Sequence, residues 1–530
     1  MTKRARCDNP VWWTILRDDV VSKGGYVHPN LEFSEANRKL HLNQKISKGE
    51  IVLRIPSKVF MTRARALAVC HPWLKNIILR DEKNSTWKNS TADLAIAIAM
   101  ATYSSPDNYP YLHSLPESSS FDALPRRWTE SDMRKFLAGT SLLSHAVAAK
   151  TSAIEDYKLL RKRFYKQEAN RNQTNIVSPF PSFEKFSDML AAVTSRAFQI
   201  GTSDQDIAIV PLLDLGNHTR GKATNKFEKK NVSYHYKASE NAMIVTSVVD
   251  IDCGESIRLT YGAKSNAQLL LNYGFCIMKN LEQDGSSNDV LEFHPFSTLE
   301  SDNYAQSLNR DRRKIIRLRA GPKSYSYGGF TAALEEYFSK EKFGTVHGNS
   351  NEKNRLNDHL PEQKENEFSS DFEDFLCQCD DDEEDNDFME IYEGKGQSER
   401  FADKDFRNSE KTYQGEMEAL RRFKLHLIKI SKGYTNYKGM NAPTTASDKL
   451  GFNWPQYYSH ILSISELRTI YFFIRSIDKV QNLLYKELKE EIIPDRFDFE
   501  VFTDPEDLDL IDKQTEDLAY TYMSIRHGIF

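Results

Sequence analysis

Six side chains between positions 196 and 273 are of types that could work together at a reaction centre: Arg196, Asp214, Asn217, His218, Tyr261 and Tyr273. A planar guanidinium grips a carboxylate with two parallel hydrogen bonds, and a phenolic oxygen can orient a nucleophile's lone pair. The six sit in Ser195-Arg-Ala-Phe198, in Ile209-Val-Pro-Leu-Leu-Asp-Leu-Gly-Asn-His218, in Gly254-Glu-Ser-Ile-Arg-Leu-Thr-Tyr261-Gly, and in Ser265-Asn-Ala-Gln-Leu-Leu-Leu-Asn-Tyr273-Gly-Phe275. Taken singly, each has an ordinary structural reading. Arg196 could simply face solvent from a helix end, His218 could hydrogen-bond within a core, and Tyr261 could be a packed residue with a satisfied hydroxyl. Order and spacing together carry the signal.

Several elements must position these residues. The spacing predicts a helix from Phe183 to about Ile200, with Arg196 near its end. Ile207–Leu215 is a nearly continuous apolar run and reads as a buried strand ending at Asp214 to His218. After the Gly254-Glu255 turn, Ile257, Leu259 and Tyr261 share one face of a strand. Ser265-Asn266 then opens a helix, and Gly274-Phe275 turns out of it. Earlier in the chain, Lys48-Gly49 reads as a turn between two short strands, with Ile51, Leu53 and Ile55 pointing inward at period two. Ala92–Tyr103 and Thr129–Gln167 have helical spacing. His113 and His145 lie among these helices and are assigned no role, since lone histidines there are more often structural or exposed.

With those motifs in hand, the chain resembles the SET-domain protein methyltransferases. The branch is that of the plant enzyme that methylates the large subunit of RuBisCO, which also includes actin-histidine methyltransferases. The resemblance covers about residues 22–295 well, including the lead-in Gly24-Gly-Tyr-Val-His-Pro-Asn-Leu31, and the remainder loosely. It implies an α+β chain: a SET fold of short β-sheets with a pseudoknot and a helical insertion at about 65–200, followed by an all-α C-terminal domain. Residues 1–21 form an N-terminal segment, and 296–530 a helical substrate-binding-like domain interrupted at about 344–401. The implied cofactor is S-adenosyl-L-methionine. Arg196 would hold its carboxylate, and Ala36, Asn37, Arg38, Asp214, Asn217, His218 and Tyr261 would complete the cofactor pocket. Tyr261 and Tyr273 would be catalytic, with Phe198, Leu213 and Tyr273 shaping the substrate channel. Methyl transfer is an in-line displacement that needs an aligned, neutral amine and no metal.

Two features of the resemblance bear on activity. Family members place Gly-x-Gly just before the second strand, so that backbone can approach the cofactor closely. This chain has Asn37-Arg38-Lys39-Leu40 instead. Either the loop takes another path or cofactor binding is weakened. The histidine-acting members have Asn two residues after the Arg and Trp before the Asp. This chain has Phe198 and Leu213, and an apolar channel suits a lysine stem better than an imidazole. The implied function is thus lysine N-methylation of a non-histone protein. The alternatives are a SET-derived binding module without activity and a histidine N-methyltransferase.

Composition limits the rest. At 530 residues the chain is long enough for about two to four domains. With 39% hydrophobic and 11% aromatic residues, most of it should be globular. A formal net charge of −5 argues against a nucleic-acid partner held by a basic surface. The apolar run Leu94–Ala101 is too short to span a bilayer, and Met1–Arg6 with Asn9-Pro-Val-Trp-Trp13 is no signal segment. A monomer in the cytoplasm or nucleus, acting on a protein, is the expectation. Six scattered cysteines suit a reducing compartment, and Cys377-Gln-Cys379 lacks further ligands at metal spacing, so no metal is expected. After Leu291 the β-like patterning fades. Phe330–Phe343, Glu416–Ile430 and Ser463–Lys489 read as helices, the last opening with the capping box Ser463-x-x-Glu466. Asp371–Glu393 holds twelve acidic residues and no Lys or Arg, the composition of a disordered, solvated run.

Overall fold

The structure is a computed structural model and describes residues 9–35, 38–70, 72–82, 86–102, 109–169, 180–203, 205–219, 230–282, 285–293, 315–321, 330–338, 410–434, 452–488 and 505–526. Ala36, Asn37, the Cys377–Cys379 pair and the acidic run lie outside the described residues.

Helix α1 (Val11–Ser22) leads into β1 (Tyr26–Val27), β2 (Leu31–Ser34), β3 (Lys39–Leu42), β4 (Ile51–Pro56) and β5 (Met61–Thr62). Helices α2 (Arg63–Val69), α3 (Pro72–Glu82), α4 (Thr91–Thr102), α5 (Glu130–Phe136), α6 (Leu142–Ala169) and α7 (Phe183–Arg196) follow. The chain then returns to short strands: β6 (Ala197–Gln199), β7 (Ile207–Ile209), β8 (Asn217–His218), β9 (Val232–Lys237), β10 (Ala242–Ser247) and β11 (Arg258–Leu259). Helix α8 (Asn266–Tyr273) and the hairpin of β12 (Val290–Phe293) and β13 (Ile316–Arg319) lead to helices Phe330–Phe338, Glu410–Ser431, Trp454–Leu488 and Pro505–Arg526.

The strands form small sheets: β1-β4-β10-β9, β5-β7-β6, β2-β3, β12-β13, and the parallel pair β8-β11. That pair decides the architecture. Arg258 lies opposite Asn217 and Leu259 opposite His218, while on its other side the same segment bonds to β3. The Gly254 N–H donates to the Leu42 carbonyl at 2.7 Å and the Ile257 N–H to that of Leu40 at 2.8 Å. Residues 254–261 are thus clasped between an early strand and a middle one, the threaded arrangement of a SET fold. Gly216 permits the crossing, because a Cβ there would stand 2.3 Å from Leu259 Cδ2.

Among the described residues, two large cores and two smaller ones hold the chain. One joins α1, the strands before α8 and helices α2–α4, α6 and α7; another joins the β12–β13 pair to the C-terminal helices. The third sets Tyr457, Ile461 and Leu462 of the long helix against Phe136, Ala146 and Leu270. Helix Trp454–Leu488 therefore reaches from the α5–α6–α8 surface into the C-terminal core.

Several sequence expectations need correction. The Ile207–Leu215 run is not one strand. Buried Leu212 adopts φ +73°, a strained conformation for a non-glycine residue, and turns the chain into a 3-10 turn at Leu213–Leu215. Ile51 is exposed and Val52 buried, because β4 lies between β1 and β10 and departs from simple alternation. The Lys48-Gly49 turn does not make a hairpin. Ile46 bridges Ile251 instead, and β4 pairs with β1 and β10. The Thr129–Gln167 helix is broken between α5 and α6, where Gly139 takes φ +82°. The Phe183–Ile200 helix stops at Arg196, and β6 follows. The long C-terminal helix starts at Trp454, so Ser463 lies mid-helix and caps nothing. The hairpin β12–β13 shows that β-structure persists beyond Leu291.

Candidate active site

A cavity of about 260 Å³ lies where the threaded segment, α7 and the β2–β3 loop converge. Arg38, Arg196, Asp214, Asn217, Tyr261 and Tyr273 of the expected set line it.

Arg196 sits at the last position of α7, a helix started by the Ser182 side chain accepting the Lys185 N–H. From there its Nη1 donates to Asp214 Oδ2 at 2.9 Å and to the Asp214 carbonyl at 3.3 Å. The Tyr111 hydroxyl donates to the same Oδ2 at 2.7 Å. Asp214 has a side chain 0% exposed, and burial pushes its carboxyl above the usual range against the pull of Arg196 and Tyr111. Two buried atoms at this point have no partner: Arg196 Nε, a donor, and Asp214 Oδ1, an acceptor. Buried polar atoms are rarely left so, and such a pair suits a ligand with one anionic and one cationic end.

Tyr261 follows β11. Its backbone N–H donates to His218 Nδ1 at 2.8 Å, which places the hydrogen of a neutral His218 on Nε2. Its hydroxyl donates to the Gly216 carbonyl at 3.0 Å. The Tyr261 ring stacks between His218, at 4.9 Å, and Tyr273, at 4.8 Å. Burial pushes its phenol to about 12, so it stays protonated at neutral pH. Tyr273 is held at the end of α8, which opens with a full capping box from Ser265 and Gln268 and closes at Gly274 with φ +77°.

Other expected residues stand one layer back. His218 supports Tyr261 and is not part of the cavity wall. Phe198 is buried edge-on against Tyr234, with centroids 5.3 Å apart, and Leu213 is buried in the 3-10 turn; neither lines the cavity. Just ahead of β3, Arg38 lies in the left-handed region at φ +47°, and Lys39 is extended as the first residue of the strand. Sequence reasoning missed Tyr111 and the apolar wall of Phe33, Phe121, Leu124 and Phe275. Phe275 ended a quoted motif and could have been found. Tyr111, 103 residues from Asp214, offered no local signal.

No family model matches the chain. Among curated proteins it is similar to the actin-histidine N-methyltransferases of Danio rerio, 26% identical over 256 residues, 47% of this chain and 39% of that protein. The Homo sapiens protein of the same name is 24% identical over 257 residues, 47% of this chain and 39% of its own length. The chain spans about two fifths of the length of these relatives. Among solved structures, the SET domain of LSMT bound to lysine and AdoHcy superposes with a TM-score of 0.51 at 14% identity, covering 90% of this chain and 94% of that one. The LSMT structure with methyllysine and AdoHcy gives the same score. The fold is thus that of a SET-domain protein. Within that class the chain is similar to the branch of the RuBisCO large-subunit and actin-histidine methyltransferases.

Proposed function

We propose that this chain is an S-adenosylmethionine-dependent protein N-methyltransferase acting on a lysine side chain of a non-histone protein. The observation that carries the reading is the Arg196–Asp214 pair, with its unpartnered Nε and Oδ1 beside the Tyr261 stack. The residues fit the cofactor. Arg196 Nε can donate to its carboxylate, Asp214 Oδ1 and Asn217 can face its ammonium, and Phe33, Phe121 and Phe275 offer apolar surface to the rest. When bound, S-adenosylmethionine supplies a methyl group on a positively charged sulfur. Tyr261, donating its proton to the Gly216 carbonyl, keeps its oxygen lone pairs available to accept from an amine N–H and point the nitrogen inward. Tyr273 and the aromatic wall exclude water and disfavour the charged ammonium form of a lysine. In this reading residues 22–295 hold the cofactor and the helices beyond hold the protein substrate.

Histidine as the target is the second reading, favoured by the names of the sequence relatives. The lysine reading draws on Phe198 and Leu213 standing where the histidine-acting members carry Asn and Trp; both are buried one layer behind the cavity wall. The test is calorimetric titration with S-adenosylhomocysteine. It is followed by incubation of the protein with labelled S-adenosylmethionine and cell extract, and acid hydrolysis of the labelled products. Binding with label in methyllysine is expected. Label in methylhistidine would replace the lysine reading, and absence of cofactor binding would leave a SET-derived binding module.

A further inference from the structure

The β2–β3 loop brings a second guanidinium to the same cavity. Arg38 Nη2 donates to the Ser114 carbonyl at 2.9 Å, and its guanidinium lies 5.9 Å from the centroid of Phe33, another wall residue. The Asp214 carboxylate on the same wall already serves Arg196 and Tyr111. Among the described residues no carboxylate stands within ion-pair distance of Arg38. The wall therefore carries two guanidiniums against one carboxylate. A guanidinium has five N–H donors, and one bond to Ser114 does not exhaust them. Burial, with Arg196 close by, lowers the Arg38 pKa, as expected for a cation held beside another in poor solvent.

We propose that Arg38 is a positioning residue, a second cationic arm that closes on the carboxylate end of the cofactor opposite Arg196. The inference rests on the proposed cofactor reading and adds a residue specific to this chain, which carries Asn-Arg-Lys where the resembled family carries Gly-x-Gly. Arg38 stands at the middle position of that pattern, in the left-handed region at φ +47°, with its side chain in the cavity wall. One consequence is selectivity for ligands that keep the amino-acid tail.

The experiment compares two ligands on the full chain by calorimetry: S-adenosylhomocysteine, which has the carboxylate, and methylthioadenosine, which lacks it. Arg38→Ala should weaken the first about tenfold or more and leave the second within about twofold. Arg38→Lys, a point charge without the fork, should recover part of the loss. Equal weakening of both ligands would overturn the proposal, as would no change. Tighter binding by Arg38→Ala would also overturn it, marking the side chain as a plug in the cavity. If the unaltered protein binds neither ligand, the cofactor reading itself fails. If it binds S-adenosylhomocysteine and Arg38→Ala binds it equally, only the role of Arg38 fails. A melting curve of each variant separates these outcomes from loss of folding.

Discussion

Among the described residues, two buried groupings share the same chemistry, a carboxylate with an arginine and a tyrosine, and they are finished differently. In the C-terminal helices, Glu416 Oε1 accepts from the Tyr522 hydroxyl at 2.5 Å and Oε2 from Arg526 Nε at 3.1 Å; Arg526 Nη1 goes on to Glu487 at 3.1 Å. Both carboxylate oxygens are used, and the group closes on itself. Around Asp214, one oxygen takes both Arg196 and Tyr111 while Oδ1 and Arg196 Nε stay unpartnered at a cavity. The first grouping is complete without a ligand. The second keeps one donor and one acceptor in reserve, as a binding site does.

The sharpest way to break the comparison is to remove both arginines in separate proteins. Arg196→Met strands a carboxylate 0% exposed and Arg526→Met one 1% exposed. Each should cost about 3–5 kcal/mol in urea unfolding. Only Arg196→Met should also abolish S-adenosylhomocysteine binding, and equal loss of binding in both would erase the distinction.

A second prediction concerns the join between the regions. Glu466, from the middle of the long helix, accepts from the Ser141 backbone N–H at 3.1 Å and its hydroxyl at 2.5 Å, just ahead of α6, and from the Tyr434 hydroxyl at 2.6 Å. Burial pushes its carboxyl to about 7, and that of nearby Asp289 to about 6. A raised acid holds its proton in the folded state at pH values where the unfolded chain has lost it. Stability should therefore fall as pH rises from about 4.5 to about 7, by about 3 kcal/mol from Glu466. Glu466→Gln should flatten that slope in unfolding titrations across this window. An unchanged slope would mean that the carboxyl is not held neutral.

Smaller effects test single contacts. Tyr111→Phe removes one donor to Asp214 and should cost about 1–2 kcal/mol by thermal unfolding, with weaker cofactor binding. Ser265→Ala should cost about 1 kcal/mol through loss of the α8 cap, leaving binding nearly unchanged. Were Ser265→Ala to affect binding as much as Tyr111→Phe, α8 would be positioning Tyr273 more tightly than its packing suggests.

What the sequence made legible follows from how local each cause is. Ser265 with Gln268 and the left-handed Gly274 bracket α8 within ten residues, and both signals are written in residue type. The Asn217-His218 strand and the Gly254 turn were readable through a resembled motif, although their pairing joins distant parts of the chain. Tyr111 against Asp214 and Glu466 against Ser141 were not, because a contact across 103 or 325 residues leaves no periodicity behind. The start of the long helix was misread for a different reason. Ser463 and Glu466 form a capping pattern, yet Trp454-Pro455 nine residues earlier is the true opening, with Pro in the first turn where its missing N–H costs nothing. Two plausible starts in one apolar stretch cannot be ranked without knowing what packs on the extra turns. Here those turns carry Tyr457 and Ile461.

The clasp around residues 254–261 also sets a schedule for the ribosome. The early strands emerge first, but β4 lacks its neighbour β10, and the Lys48 N–H must wait for the Asp250 carboxylate 202 residues later. Through that interval, apolar residues such as Leu40, Leu42 and Val52 lack the cover they have in the finished fold. Pulse-labelled nascent chains halted before residue 254 should be protease-sensitive throughout their first strands. Those that have cleared residue 273 should become resistant in a single step.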